Sequence, residues 1–194
     1  MMKLFHNPKS RAAISKWMLD ECGARYEIVP IDFEKREHKA ADFLAVNPCG
    51  KLPALVDGDV KLFETVAIGL YLADKHPKAR LAPAIDAPER ARYLTLMVYS
   101  TSQLEPAMTD HLQKLETPPS RGWTDFDTAR KIVEREIGKG PYLFGDWFTA
   151  ADVMIGSMFI WKRMFGGGPE APAIEAYVDR LLDRPAAREL RGKP

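Results

Sequence analysis

The chain has 194 residues, enough for one large domain or two small ones. Its 46% hydrophobic and 28% charged residues are the make-up of a globular protein. With 28 Lys and Arg against 27 Asp and Glu, the net charge of +1 points away from nucleic-acid and membrane-surface partners. Mixed-sign runs such as Glu34-Lys35-Arg36-Glu37 read as a solvated face. Met1 to Pro8 lacks the apolar run of a secretory signal. The most apolar stretch, Ala150 to Trp161, is too short to span a bilayer and carries Asp152. Cys22 and Cys49 form no paired motif, which suits a reducing compartment such as the cytoplasm. The 4 histidines are scattered, so no metal site is expected.

In chain order, Lys3 to His6 reads as a short strand ending at Asn7-Pro8. Ala12 to Cys22 has Ala13, Ile14, Trp17 and Met18 on one helical face and stops at Gly23. Tyr26 to Ile31, β-branched and aromatic, is a second strand, so the opening is a βαβ unit. A short helix over Lys39 to Val46 precedes Asn47-Pro48. Pro53 to Val56 and Val60 to Phe63 flank Asp57-Gly58-Asp59, a strong hairpin signal. Thr65 to Lys75 is a helix with Val66, Ile68, Leu70, Tyr71 and Leu72 expected to be largely buried, and Pro77 ends it.

The remainder shows no convincing strand. Glu89 to Leu104 is helical, and Pro106 is expected to kink or break the next turn. Phe126 to Ile137 is a helix, as is a buried segment from Phe148 onward. Gly166-Gly167-Gly168-Pro169 is a break. Ile174, Tyr177, Val178, Leu181 and Leu182 follow helical spacing up to Pro185. The pattern is an α/β half over 1–78, a linker over 79–87 and an all-α half over 88–194.

Three segments could carry chemistry. In Asn47-Pro48-Cys49-Gly50-Lys51-Leu52-Pro53, a cis peptide before Pro53 would turn the chain and leave the Leu52 N–H and C=O free for an extended peptide-like ligand. Alternatively, Pro53 only begins an edge strand. Glu64-Thr65 opens a helix, where free N–H groups and the Thr65 hydroxyl suit a carboxylate and Glu64 suits an ammonium; an ordinary Thr65 cap is the alternative. Ser10 stands at the mouth of the first helix, either as an N-cap or as a hydroxyl donor to a thiolate. Thr149 and Asp152 have capping-box spacing, flanked by Phe148 and Val153 as a hydrophobic staple.

Asn47-Pro48-x-Gly50-Lys51-x-Pro53, Glu64-Thr65-Val66-Ala67-Ile68 and Phe148-Thr149-Ala150-Ala151-Asp152-Val153-Met154, in this order and spacing, resemble the cytosolic glutathione S-transferase family over nearly the whole chain. Glu37-His38-Lys39 before Asn47-Pro48 is similar to the theta-type and related bacterial, serine-type branches. The resemblance implies a thioredoxin-like α/β N-terminal domain followed by an all-α helical bundle, glutathione as co-substrate without a metal, and a cytoplasmic homodimer in detoxification. It makes Ser10 the catalytic residue. Glu64 and Thr65 would hold the γ-glutamyl end of glutathione. Leu52 beside cis Pro53 would pair with the cysteinyl part, and Lys51 and His38 would reach the glycyl carboxylate; His38 read alone is equally an exposed loop residue.

The implied chemistry is attack of the glutathione thiolate on a small apolar electrophile lying between the domains, with peroxidase activity a further expectation. Tyr99, Met108, Trp161, Met164 and Phe165 are wall candidates that alone read as helix core. A non-enzymatic binding module of this fold and a glutathione-dependent isomerase are the alternatives. No cysteine lies in Phe5 to Ala13, which argues against the branches that use a nucleophilic cysteine.

Overall fold

A computed structural model describes residues 1–191; the last three residues of the expected helical half, 192–194, lie outside the described residues. Backbone proximity divides the chain into two compact units, Met1–Leu81 and Ala82–Pro194.

The first unit runs β1 (Met2–His6), α1 (Ala12–Glu21), β2 (Tyr26–Pro30), a 3-10 turn (Glu37–Lys39), α2 (Ala41–Leu44), β3 (Ala54–Asp57), β4 (Val60–Phe63) and α3 (Thr65–Lys75). The sheet order is β2-β1-β3-β4. β2 lies parallel to β1, and β3 and β4 are antiparallel to their neighbours. β2 ends one residue earlier than its sequence suggests, yet the Ile31 N–H still donates to the His6 carbonyl at 2.8 Å. The hairpin closes with Asp57 opposite Val60, and Gly58 takes φ +61°, the left-handed conformation that a two-residue turn requires.

α1 and α3 pack together, burying Ile14, Trp17, Met18 and Leu19 from one helix and Ile68 and Leu72 from the other. Val66, Leu70 and Tyr71, expected to be largely buried, are only half-buried. The ring of Tyr71 stays at the surface because its hydroxyl donates to Asp57 Oδ2 at 2.8 Å. Lys75 pairs with the same carboxylate, tying α3 to the hairpin.

The second unit is helical: α4 (Glu89–Tyr99), a π turn (Ser100–Leu104), α5 (Glu105–Leu112), α6 (Phe126–Ile137), α7 (Ala150–Met164) and α8 (Pro172–Leu182), then a 3-10 segment (Pro185–Arg191). Pro106 does not break the path. It sits in the first turn of α5, directly after the π turn. Proline lacks an N–H and crowds the carbonyl four residues back, and the widened turn accommodates both. The Ser100 hydroxyl donates to the Met97 carbonyl at 2.7 Å.

α7 is the core of this unit, buried continuously from Ala150 to Ile160. Its start carries the expected capping box, with the Asp152 carboxylate accepting the Thr149 N–H at 2.8 Å. Beyond α8, Pro185 ends the α-helix and a 3-10 segment follows that buries Ala187 and Leu190.

Candidate functional site

Sheet register decides which loops meet. His6 at the end of β1 lies beside Pro30 at the end of parallel β2. Phe5 faces Ala54 at the start of β3, and Ala54 faces Phe63 at the end of β4. The segments after β1, after β2, before β3 and after β4 therefore leave from one end of the sheet. Those segments contain Ser10, His38, Lys51 to Pro53, and Glu64 with Thr65. Beneath them Ala12, Ile31, Phe43, Leu52 and Ala54 share one buried cluster.

Ser10 is buried, and its hydroxyl is engaged twice. It donates to the Asn7 carbonyl at 2.7 Å and accepts the Ala12 N–H at 3.2 Å. Ser10 thus serves the first turn of α1, although α1 itself begins after Arg11. Burial lowers the pKa of the Arg11 guanidinium from its ordinary value.

The segment before β3 is built by Asn47. Its buried side chain donates to the Lys51 carbonyl at 2.7 Å and accepts the Cys49 N–H at 3.0 Å. Gly50 closes the turn at φ +60°. A Cβ there would lie 2.5 Å from Lys39 Nζ and 3.0 Å from the His38 carbonyl oxygen, so the 3-10 turn packs directly on this glycine. The Leu52–Pro53 peptide is cis. Among the described residues the Leu52 N–H and C=O take no hydrogen-bond partner.

Three basic groups gather at this corner. Lys51 is exposed and unpaired among the described residues. Lys39 Nζ donates to the Cys49 carbonyl at 3.3 Å. His38 is half-buried rather than fully exposed, its ring edge-on to Phe33 at 5.0 Å and its Nδ1 buried without a partner. Sequence reasoning quoted Lys39 and Asn47 within motifs but gave neither a role of its own in the site. An Asn directly before a Pro, at Asn7-Pro8 and again at Asn47-Pro48, was the available signal of a side-chain-built turn.

At the start of α3, Glu64 takes φ 71° and ψ 124°, a region that side chains other than glycine rarely enter. Its exposed carboxylate makes no cap bond. The first helical bond runs from the Ile68 N–H to the Glu64 carbonyl at 3.0 Å. The N–H groups of Thr65, Val66 and Ala67 are left unpaired among the described residues, beside the buried Thr65 side chain. Such a helix start attracts a carboxylate, while the Glu64 carboxylate attracts an ammonium. In the second unit, Met108 is buried, Tyr99 and Trp161 are half-buried, and Met164 and Phe165 are exposed. Among the described residues no group of three or more His, Cys, Asp or Glu side chains is placed to hold a metal ion.

The chain is similar in sequence and fold to known proteins over most of its length. Residues 1–74 match the family described as glutathione S-transferase, N-terminal domain. A probable glutathione S-transferase of Oryza sativa subsp. japonica, GSTF2, is 34% identical over 191 residues, covering 89% of this chain and 87% of that protein. Among solved structures, a glutathione transferase from Methylococcus capsulatus str. Bath superposes with a TM-score of 0.82 at 28% identity, covering 98% of this chain and 97% of the other. A theta class glutathione S-transferase of Xanthomonas axonopodis pv. citri, solved with glutathione bound, superposes at 0.78 with 26% identity and coverage of 99% and 98%.

Proposed function

The chain belongs to the glutathione S-transferase family, and on that premise we propose that it activates the glutathione thiol for attack on a small apolar electrophile. The observation that carries the reading is the gathering of an unpaired helix start, a free Leu52 peptide and three basic groups at one end of one sheet. Glutathione is an extended tripeptide with an amino-acid head at one end and a carboxylate at the other, and these features fit it in order. Glu64 takes the ammonium, and Thr65 with the N–H groups behind it takes the γ-glutamyl carboxylate. Leu52, flanked by Pro53, pairs with the cysteinyl peptide as a strand would. Lys51, His38 and Lys39 surround the glycyl carboxylate. In this reading residues 1–78 form the glutathione-binding domain and 88–194 the helical one, joined by 79–87.

Ser10 is the activating group of this reading. A free thiol ionises near pH 8.5, so at neutral pH only a few per cent is thiolate. Lowering that value by about two units requires about 2.7 kcal/mol. One hydrogen bond to a charged acceptor supplies roughly 1.5–3 kcal/mol, and a helix N-terminus adds about 0.3–1 kcal/mol. The Ala12 N–H bonded to Ser10 Oγ polarises the hydroxyl and strengthens it as a donor. The thiol proton leaves to solvent, sulfur bonds the electrophilic carbon, and the leaving group departs with its electron pair. Hydroperoxides are a second acceptor class. A serine-type, theta-like placement rests on Ser10 and the likeness to the Xanthomonas protein.

The decisive experiment is Ser10→Ala, read by ultraviolet titration of the glutathione complex. The bound thiol should rise by about one to two pKa units, with turnover at neutral pH falling roughly tenfold or more and glutathione affinity little changed. An unmoved thiol with a lowered melting temperature would make Ser10 a helix cap only. Because the Ser10 proton rests on Asn7, that outcome would favour a second reading, a glutathione-binding module without transferase activity. Glu64→Ala is expected to weaken glutathione binding roughly thirtyfold or more without unfolding the chain, measured by calorimetry. Unchanged affinity would move the ligand away from α3.

A cytoplasmic homodimer completes the proposal. Tyr93, Leu96 and Met97 of α4 and Ser100 of the π turn are buried within the unit and so offer no interface. Leu94 and Val98, one turn apart and exposed, supply apolar surface instead. No described helix is long and apolar enough to cross a membrane.

A further inference from the structure

The loop that carries Ser10 is held by one residue. Asn7 Nδ2 donates to the Ile31 carbonyl at 2.8 Å, across a sequence separation of 24. Its Oδ1 accepts the Lys9 N–H at 2.9 Å, which closes a side-chain turn over Pro8. Its own carbonyl accepts both the Ser10 N–H at 3.0 Å and the Ser10 hydroxyl at 2.7 Å. Ile31 is buried and bonded in turn to His6, so the anchor is the end of the sheet itself.

We propose that Asn7 is the positioning residue for Ser10: its side chain fastens the loop to the end of β2, and its carbonyl holds the hydroxyl proton until a thiolate takes it. This rests on the reading of Ser10 as the thiolate's donor. The chemistry of asparagine fits both duties. A carboxylate of the same length could accept from Lys9 but would face the Ile31 carbonyl with no proton. A serine could accept from Lys9 but would be too short to reach Ile31. The double acceptance at the Asn7 carbonyl also explains how Ser10 can turn. When the hydroxyl swings to sulfur, the carbonyl keeps the Ser10 N–H and is not left as a buried orphan. Oγ meanwhile keeps the Ala12 N–H, so only the proton changes partner.

The test compares Asn7→Ala, Asn7→Ser and Ser10→Ala, each by ultraviolet titration of the glutathione complex, calorimetric affinity and a thermal melt. Asn7→Ser keeps the turn over Pro8 and stays neutral, losing only the tether to Ile31, and it decides the matter if Asn7→Ala fails to fold. With the tether gone, the bound thiol should rise by about half to one pKa unit, giving roughly 1.5- to threefold less thiolate at neutral pH when the parent thiol titrates about two units below a free one. Glutathione affinity should stay within about twofold of the parent, because Asn7 touches only the loop. A lowered melting temperature with the parent's thiol titration, while Ser10→Ala raises the thiol, would overturn the inference and leave Ser10 standing. An unmoved thiol in Ser10→Ala would remove the reading beneath it, and this inference with it.

Discussion

Lys162→Met is expected to destabilise the second unit by about 3–5 kcal/mol, the cost of leaving a buried charge without its partner. Lys162 lies near the end of α7 and is buried, with 4% of its side chain exposed against 7% for Glu170. Its ammonium pairs with Glu170 Oε1 at 2.7 Å and donates to the Gly167 and Gly168 carbonyls at 2.5 and 3.2 Å. Two N–H groups thus meet carbonyls while the charge is balanced by Glu170, and the glycine-rich turn after α7 is folded over the lysine stem. A Cβ on Gly167 would come within 2.4 Å of Lys162 Cγ, so the turn has no room to spare. Removing the ammonium leaves the Glu170 carboxylate, among the described residues, with Arg130 Nε at 3.7 Å as its one cationic partner. Urea unfolding followed by tryptophan fluorescence measures the loss. The double variant Lys162→Met, Glu170→Gln should recover most of it, since no charge is then left unpaired. A single variant within about 1 kcal/mol of the parent would show that the pair contributes no more than a surface one.

Nothing in the sequence distinguishes Lys162 from the neighbouring Arg163, which is exposed and pairs with Glu175 and Asp179. Helical spacing gives a face, and the partner eight residues on lies past a glycine turn whose path local rules do not set. The same limit explains the π turn. Pro106 signals trouble in a helix, but whether the chain breaks or widens depends on the packing of α4 and α7 around it. What was legible is what local chemistry controls. The hairpin at Gly58, the start of α3 at Thr65 and the span of α6 follow from turn residues and apolar period, although Asp57, read as part of the turn, closes the ladder instead. The candidate site was legible as a set of residues and not as an arrangement. Ser10, Pro53 and Glu64 each have an ordinary structural explanation, and the sheet register brings their segments to one end. The Asn7–Ile31 bond joins two loops that no periodicity connects, and it fixes where the Ser10 proton rests.

Asp152→Ala is expected to cost about 4 kcal/mol at pH 5, because four buried groups lose the carboxyl that is their shared hydrogen-bond partner. Capping-box spacing foretold the bond to the Thr149 N–H, but the carboxylate does more than cap. Oδ1 accepts the Leu143 N–H at 2.9 Å and the Tyr177 hydroxyl at 3.1 Å, while Oδ2 accepts the Thr149 N–H at 2.8 Å and its hydroxyl at 3.1 Å. One side chain thus joins the segment before α7, the start of α7 and α8. Asp152 is fully buried, and desolvation outweighs the bonds from Leu143, Thr149 and Tyr177, pushing its pKa from 3.8 up to about 6. The folded state therefore holds a proton that the unfolded chain releases near pH 4. The resulting stability is complete below the unfolded value and is lost as pH rises through the folded one. A shift of this size corresponds to about 3 kcal/mol in all, of which about 1 kcal/mol falls between pH 5 and pH 7.5. The protonated carboxyl finds an acceptor in the Tyr177 or Thr149 hydroxyl, each free to turn. Alanine carries no such proton, so the parent's lead over Asp152→Ala should be largest at pH 5 and shrink toward pH 7.5. Urea unfolding of both proteins at the two pH values measures the gap. A gap that widens with pH would mean that the four hydrogen bonds outweigh burial and hold Asp152 as a carboxylate at pH 5.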